Sequence, residues 1–268
     1  MTATPQEIDL CVSITGTFEN SGDPYVGVTG DFDGMGISCG VLQWNIGSNS
    51  LQPLVRLAGQ GVVTRTMQTK GADMWTACTS PLATGLAIVR RWQTGNKLDT
   101  VVAAELRALL GSQEMRAIQL RRITTIAQSA DGLAAAWAQS MGRTDRSLQE
   151  LVWFFDILTQ NGSMKGLTHH DVEHFIASSG AAGAVDVICD WLANAPNGWW
   201  GQGDCVKNAA LWRNAVPTDQ VDLFVLSYLR ASISGQVMAR GVVMNRKGAI
   251  AVKRGHVNGT LYDFTNKF

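Results

Sequence analysis

Glu19, Asp31 and Asp33 are the residues best suited to acid–base chemistry in this chain. They lie within "FENSGDPYVGVTGDFDGMGISCGVLQWN", residues 18–45, which holds no lysine or arginine. The first basic residue of the chain is Arg56, and residues 1–55 carry six acids. The remaining residues carry 22 bases against 16 acids. A carboxylate kept from cations has nothing to lower its pKa, and burial then raises it. That suits a general acid working near neutral pH. Glu19 falls near the end of an expected helix over residues 5–19, where the C-terminal dipole disfavours an ionised carboxylate. Phe18 beside it offers apolar cover. Asp31 and Asp33 fall in a glycine-rich turn, a polar setting that favours the ionised form. Two carboxylates in unlike environments are the minimum equipment for glycoside hydrolysis. On spacing alone, a solvated surface turn is the commoner origin of such acids.

The elements that must position these groups follow from periodicity. Ile8, Leu10, Cys11, Ile14 and Phe18 give the first helix a ragged apolar face. Residues 22–45 read as two or three short strands around turns. Helical periodicity dominates from about residue 49 to 244. "SLQE" at 147–150 is a capping box opening the helix "LVWFFDILTQ", which should stop near Asn161-Gly162. Thr168 with Asp171 caps the next helix. Pro217 and Asp219 open a long one reaching Met244. "AIAVKRGHVNGTLYDF" should fold as a hairpin about Asn258-Gly259. The expected fold class is mainly α (α+β), with a small β element at about residues 20–47 after the first helix. No repeat or linker divides residues 1–268, so one catalytic domain is expected.

"FEN" followed by "DGMGISCGVLQWN" resembles the chitosanase and phage-endolysin branch of the lysozyme-like glycoside hydrolases. "GVLQWNIGSNSLQPLV" and "FFDILTQNG" at 154–162 are similar to blocks of phage endolysins and bacterial wall-degrading toxins. The resemblance covers about residues 15–57 strongly and 150–162 moderately, with a weaker echo in "GHVNGTLYDF". It implies a two-lobed lysozyme-like fold and cleavage of the β-1,4 bond between N-acetylmuramic acid and N-acetylglucosamine. It places the catalytic acid on Glu19 and the base on Asp33, with Ser38 helping to hold the attacking water. Asp31, Gln43, Asn45 and Asn161 then become substrate contacts, since amides can donate and accept toward hydroxyl and N-acetyl groups. Chitosanase, lytic transglycosylase and catalytically inactive glycan-binding module remain as alternatives. For a toxin, the resemblance also implies a cognate immunity protein.

Other signals are weaker. "HDVEH", residues 170–174, fits the inverted zinc-peptidase signature, but no glutamate follows Glu173 to serve as third ligand. "DFDGMG" opens like a calcium loop but has Met35 and Leu42 where oxygen ligands belong. No cofactor is therefore expected. Trp199 and Trp200 in "PNGWWGQGD" could stack on sugar or pack under a loop. The five cysteines contain no CxxC pair, and spacing leaves any disulfides unassigned. Zero formal net charge gives no pointer to nucleic acid. The basic C-terminal stretch, with Arg240, Arg246, Lys247, Lys253, Arg254 and Lys267, reads as a solvated face in preference to a contact for an anionic surface. Neither a signal peptide nor a membrane span is expected, so lysis or a secretion system would have to deliver the protein to the cell wall.

Overall fold

The computed structural model describes residues 2–18 and 23–268. The described residues are mainly helical, with thirteen α-helices and seven short strands. In chain order, α1 (Pro5–Thr17) leads to β1 (Val28–Thr29), β2 (Ser38–Cys39) and β3 (Trp44–Asn45). Helices α2 (Leu51–Ala58), α3 (Gln60–Thr66), α4 (Gly71–Thr79) and α5 (Leu82–Arg90) precede the hairpin β4 (Gln93–Thr94) and β5 (Lys97–Leu98). Next come α6 (Thr100–Gly111), α7 (Gln113–Ser140), α8 (Leu148–Asn161), α9 (His169–Ala177), α10 (Gly180–Ala193) and α11 (Gln202–Trp212). The chain closes with α12 (Val221–Ser232), α13 (Arg240–Ala251), β6 (Arg254–Val257) and β7 (Thr260–Asp263). It divides into two compact units, a smaller one of Val12–Thr125 and a larger one of Met1–Cys11 with Ile126–Phe268.

In the smaller unit β1, β2 and β3 form an antiparallel sheet with β2 at its centre. Val28 pairs with Cys39, and Ser38 with Asn45. The sheet is the β element expected between the first helix and the helical remainder. The hairpin β4–β5 interrupts that remainder unannounced, because two-residue strands are too short to show a period.

The larger unit is built around α8, whose residues Gln149 to Ile157 are all buried. A helix apolar on every side must be surrounded. Trp153 donates through Nε1 to Ser227 Oγ at 2.9 Å, fixing α8 to α12. The capping box at Ser147 and Glu150 is formed, and Gly162 ends the helix in the left-handed region. The Asp171 carboxylate accepts from the Thr168 N–H at 2.8 Å. The expected helix from Pro217 to Met244 is instead two. It enters through a 3-10 turn, and α12 stops at Ser232. Ser234 Oγ there accepts from the Arg230 guanidinium, the chain turns past Gly235, and α13 packs back on α12. The C-terminal hairpin forms as expected, with Asn258 and Gly259 both at positive φ.

Two of the C-terminal cations are not on a solvated face. Arg246 and Lys247 are buried beneath α8, where both pair with the fully buried Asp156. Arg246 Nε donates to the Asp156 oxygens at 2.8 and 3.0 Å, and Lys247 Nζ reaches Gln160 Oε1 at 2.7 Å. Pairing with a carboxylate ninety residues upstream is invisible to local charge counting. Burial pushes Lys247 down to about 7 despite the carboxylate, while both cations outweigh burial to hold Asp156 below its usual range.

Arg146 makes a second ionic knot, donating to Glu7 at 2.9 Å and to Asp131 at 2.6 Å. The hydrogen bond from Arg146 outweighs burial and lowers Glu7 to about 2. Its contribution is therefore fully present above the ordinary value of 4.5 and is lost as pH falls toward 2. Urea titrations between pH 5 and pH 2 should show the wild type losing on the order of 2 kcal/mol more than Glu7→Gln.

All five cysteines are buried free thiols. Burial raises each thiol, Cys11 and Cys78 to about 12, so none is poised as a nucleophile. Among the described residues, no single helix is long and apolar enough to cross a membrane.

Candidate functional site

The loop between β1 and β2 carries Asp31 and Asp33 and is braced by side chains from α5 and β4. Asp31 accepts from the Gly36 N–H at 2.7 Å and from Arg90 Nε at 2.7 Å. Arg90 Nη2 also donates to the Gly34 carbonyl at 3.0 Å. Gln93 works from the other side. Its Oε1 accepts from the Asp31 N–H at 2.8 Å, and its Nε2 donates to the Gly36 carbonyl at 2.8 Å. Glycine is needed where the loop meets this frame. A Cβ on Gly30 would overlap the Asn96 carbonyl oxygen, and Gly36 has φ +84° with Leu86 and Val89 pressed against it.

The brace corrects one expectation. The cation-free stretch does not stay free of cations in space, because Arg90 of α5 pairs with Asp31 and Arg116 of α7 pairs with Asp23. Burial alone would raise Asp31, but the Gly36 N–H and the Arg90 guanidinium outweigh it and hold this carboxyl below its usual range. Asp31 is thereby committed as the staple of the loop.

Asp33 is the acid that the loop presents. It is exposed, and its carboxylate accepts from the Met35 N–H at 3.1 Å. Phe32 and Met35 flank it, 67% and 37% exposed, an unusual display of apolar surface around one carboxylate. Ser38 lies in β2, five residues on, and is buried. Glu19 lies outside the described residues.

Gln43 and Asn45 spend much of their hydrogen-bonding capacity on the sheet. Gln43, at φ +52°, donates to the Gly40 carbonyl and accepts from Thr29 Oγ1, both at 3.2 Å. Asn45 Oδ1 accepts from the Ser48 N–H at 2.8 Å, and its Nδ2 donates to the Gln43 carbonyl at 3.4 Å. Trp44 between them is buried, at the start of the two-residue strand β3. Asn161 belongs to the larger unit, at the end of α8. Its carbonyl accepts from Arg230 at 3.4 Å, while its Oδ1 is buried without a hydrogen-bond partner among the described residues.

Arg90 and Gln93 were not singled out from the sequence. They stand 59 and 62 residues beyond Asp31, and nothing in "RRWQTGNK" marks them as its partners. Arg90→Gln should unpin the loop while leaving Asp33 chemically intact. If Asp33 acts on substrate, turnover should fall by about 10²-fold with little change in KM, read from kinetics on glycan strands.

The remaining motifs resolve more simply. His170, Glu173 and His174 are exposed on α9, and no His, Cys, Asp and Glu group among the described residues is placed to hold a metal ion. His169 instead makes the helix's contacts, edge-on to Trp137 at 5.1 Å and 3.4 Å from Asp222. Trp199 packs on Trp191 with centroids 4.9 Å apart, whereas Trp200 is 46% exposed.

No family model, curated protein or solved structure matches the chain.

Proposed function

We propose that this chain is a peptidoglycan hydrolase of the muramidase type, with a lysozyme-like arrangement of its helices and small sheet. The observation that carries the reading is the braced loop. An exposed aspartate, flanked by apolar side chains, stands on a turn whose neighbouring acid is consumed in holding it still. Such preorganisation suits a group that must meet a reacting centre in one geometry.

In this reading Glu19 protonates the leaving oxygen of the β-1,4 bond, and Asp33 takes a proton from the attacking water. Ser38 helps to hold that water. Phe32 offers a ring face to the sugar beside the scissile bond. The reaction inverts if the two carboxyl groups stand roughly 6.5–9.5 Å apart in the complex, and can retain at roughly 5–5.5 Å. The free capacity of Gln43 and Asn45 serves the sugar hydroxyl and N-acetyl groups, and no metal or cofactor takes part. The enzyme works at the cell wall, after release by lysis or export by a secretion machine, and as an exported toxin it would be met by an immunity protein. Fragment analysis of digested peptidoglycan tests the reading. Reducing N-acetylmuramic acid ends support it, and intact strands contradict it.

A further inference from the structure

A second feature of the smaller unit lies outside the acid loop. The turn after β3 and helix α2 face α7 across a groove of about 530 Å³, a size that suits a short oligomeric ligand. Its apolar lining comes from Trp44, Leu54, Leu57 and Ile118. Leu57 is 70% exposed, which leaves much of that surface uncovered. One rim is Ser48, Asn49 and Ser50, and the other is Arg121, Arg122 and Thr125.

The charge in this groove has one sign. Among the described residues no aspartate or glutamate lines it, and neither Arg121 nor Arg122 has an ion pair. The arginines nearby differ, since Arg65 pairs with Glu114 and Arg116 with Asp23. The serine–asparagine rim is tied by its own hydrogen bonds. Asn45 receives the Ser48 N–H and Ser50 Oγ receives the Asn45 N–H, both at 2.8 Å, while Asn49 holds φ +59°. Two guanidinium groups with no acid beside them among the described residues, over an apolar floor, ask for a ligand with carboxylates and small apolar side chains. Guanidinium binds carboxylate through paired N–H donors, which gives direction as well as attraction.

We infer that this groove binds the carboxylate-bearing peptide stem of the glycan, with Arg121 and Arg122 on its carboxylates and the Leu54–Leu57 face under its methyl groups. The identity of the peptide rests on the muramidase reading, because in that substrate the stem carries acidic and small apolar residues. The groove would make the enzyme prefer stem-bearing strands over strands stripped of peptide.

The test uses a synthetic stem tetrapeptide with free carboxylates, titrated calorimetrically into the full chain. Saturable binding is expected, weakened at least tenfold by Arg121→Gln with Arg122→Gln and by raising salt from 50 to 500 mM. Leu57→Asp, at an exposed position, should weaken it as well by opposing the carboxylates. In kinetics, the double variant should lose the wild type's preference for stem-bearing over amidase-stripped glycan. Equal binding by wild type and double variant would overturn the inference, as would glycan cleavage without any peptide binding. Peptide binding that depends on the arginines, in a protein that cleaves no glycan, would uphold the groove and remove the muramidase reading alone.

Discussion

Asp156→Ala is expected to cost the larger unit about 3–5 kcal/mol, the range for breaking a buried ion pair from one side. Asp156 is fully buried and is the carboxylate on which Arg246 and Lys247 converge. Removing it takes away the carboxylate that the two cations share beneath α8. Arg246 cannot shed its charge, whereas Lys247, already lowered to about 7, can. The loss is a large share of the ~5–15 kcal/mol that holds an ordinary domain together. Adding Lys247→Met should recover part of it, since the double variant buries one charge fewer. The pH dependence is distinctive. Between the folded value of about 7 and the ordinary 10.5 the unfolded chain binds the Lys247 proton more tightly, so this group makes stability rise with pH across that window. The lowered Asp156 acts at the other end, its contribution being lost as pH falls through the acid range. Denaturant midpoints of wild type and both variants from pH 3 to 10 would check each part. An unfolding free energy for Asp156→Ala within about 0.5 kcal/mol of wild type would show that the network holds nothing together.

Asp33→Asn should leave folding untouched and remove activity. The carboxylate is exposed, and its one described bond, from the Met35 N–H, can equally be accepted by an amide oxygen. An amide cannot take a proton from water. Loss of a general base removes about 10²–10⁴-fold of rate. The expected result is therefore a fall near 10³-fold in kcat on peptidoglycan, with KM and the thermal midpoint close to wild type. Asp31→Asn makes the informative contrast. Its carboxylate holds the loop through Gly36 and Arg90, so that change should act through position and should be mimicked by Arg90→Gln. A variant pair in which Asp31→Asn is inactive and Asp33→Asn is fully active would exchange the roles assigned to the two acids.

What the sequence disclosed depended on the distance over which each interaction acts. The capping box at Ser147 and Glu150 and the turn at Asn258-Gly259 are read within four residues, and both form as expected. The three short strands between α1 and α2 follow from glycine spacing and apolar pairs. By contrast, the Arg90–Asp31 pair spans 59 residues and the Lys247–Asp156 pair spans 91. Composition told that residues 1–55 lack cations, and from that an environment free of them was expected. The fold supplies Arg90 and Arg116 from helices beyond that segment, because exclusion along a chain is not exclusion in space. The basic C-terminal stretch failed in part for the same reason, since one distant aspartate draws Arg246 and Lys247 into the core while Arg254 and Lys267 stay exposed. Asp33 was legible as a candidate, and the frame that presents it was not.

The most direct experiment is mass spectrometry of fragments released from purified peptidoglycan by wild type and by Glu19→Gln. Disaccharide-peptides ending in reducing N-acetylmuramic acid are expected from the wild type and should be absent with the variant. Anhydro ends would instead place the reaction among transglycosylases and remove Asp33 as base. Undigested glycan with both proteins, or equal digestion by both, would contradict a muramidase that uses Glu19 as its acid.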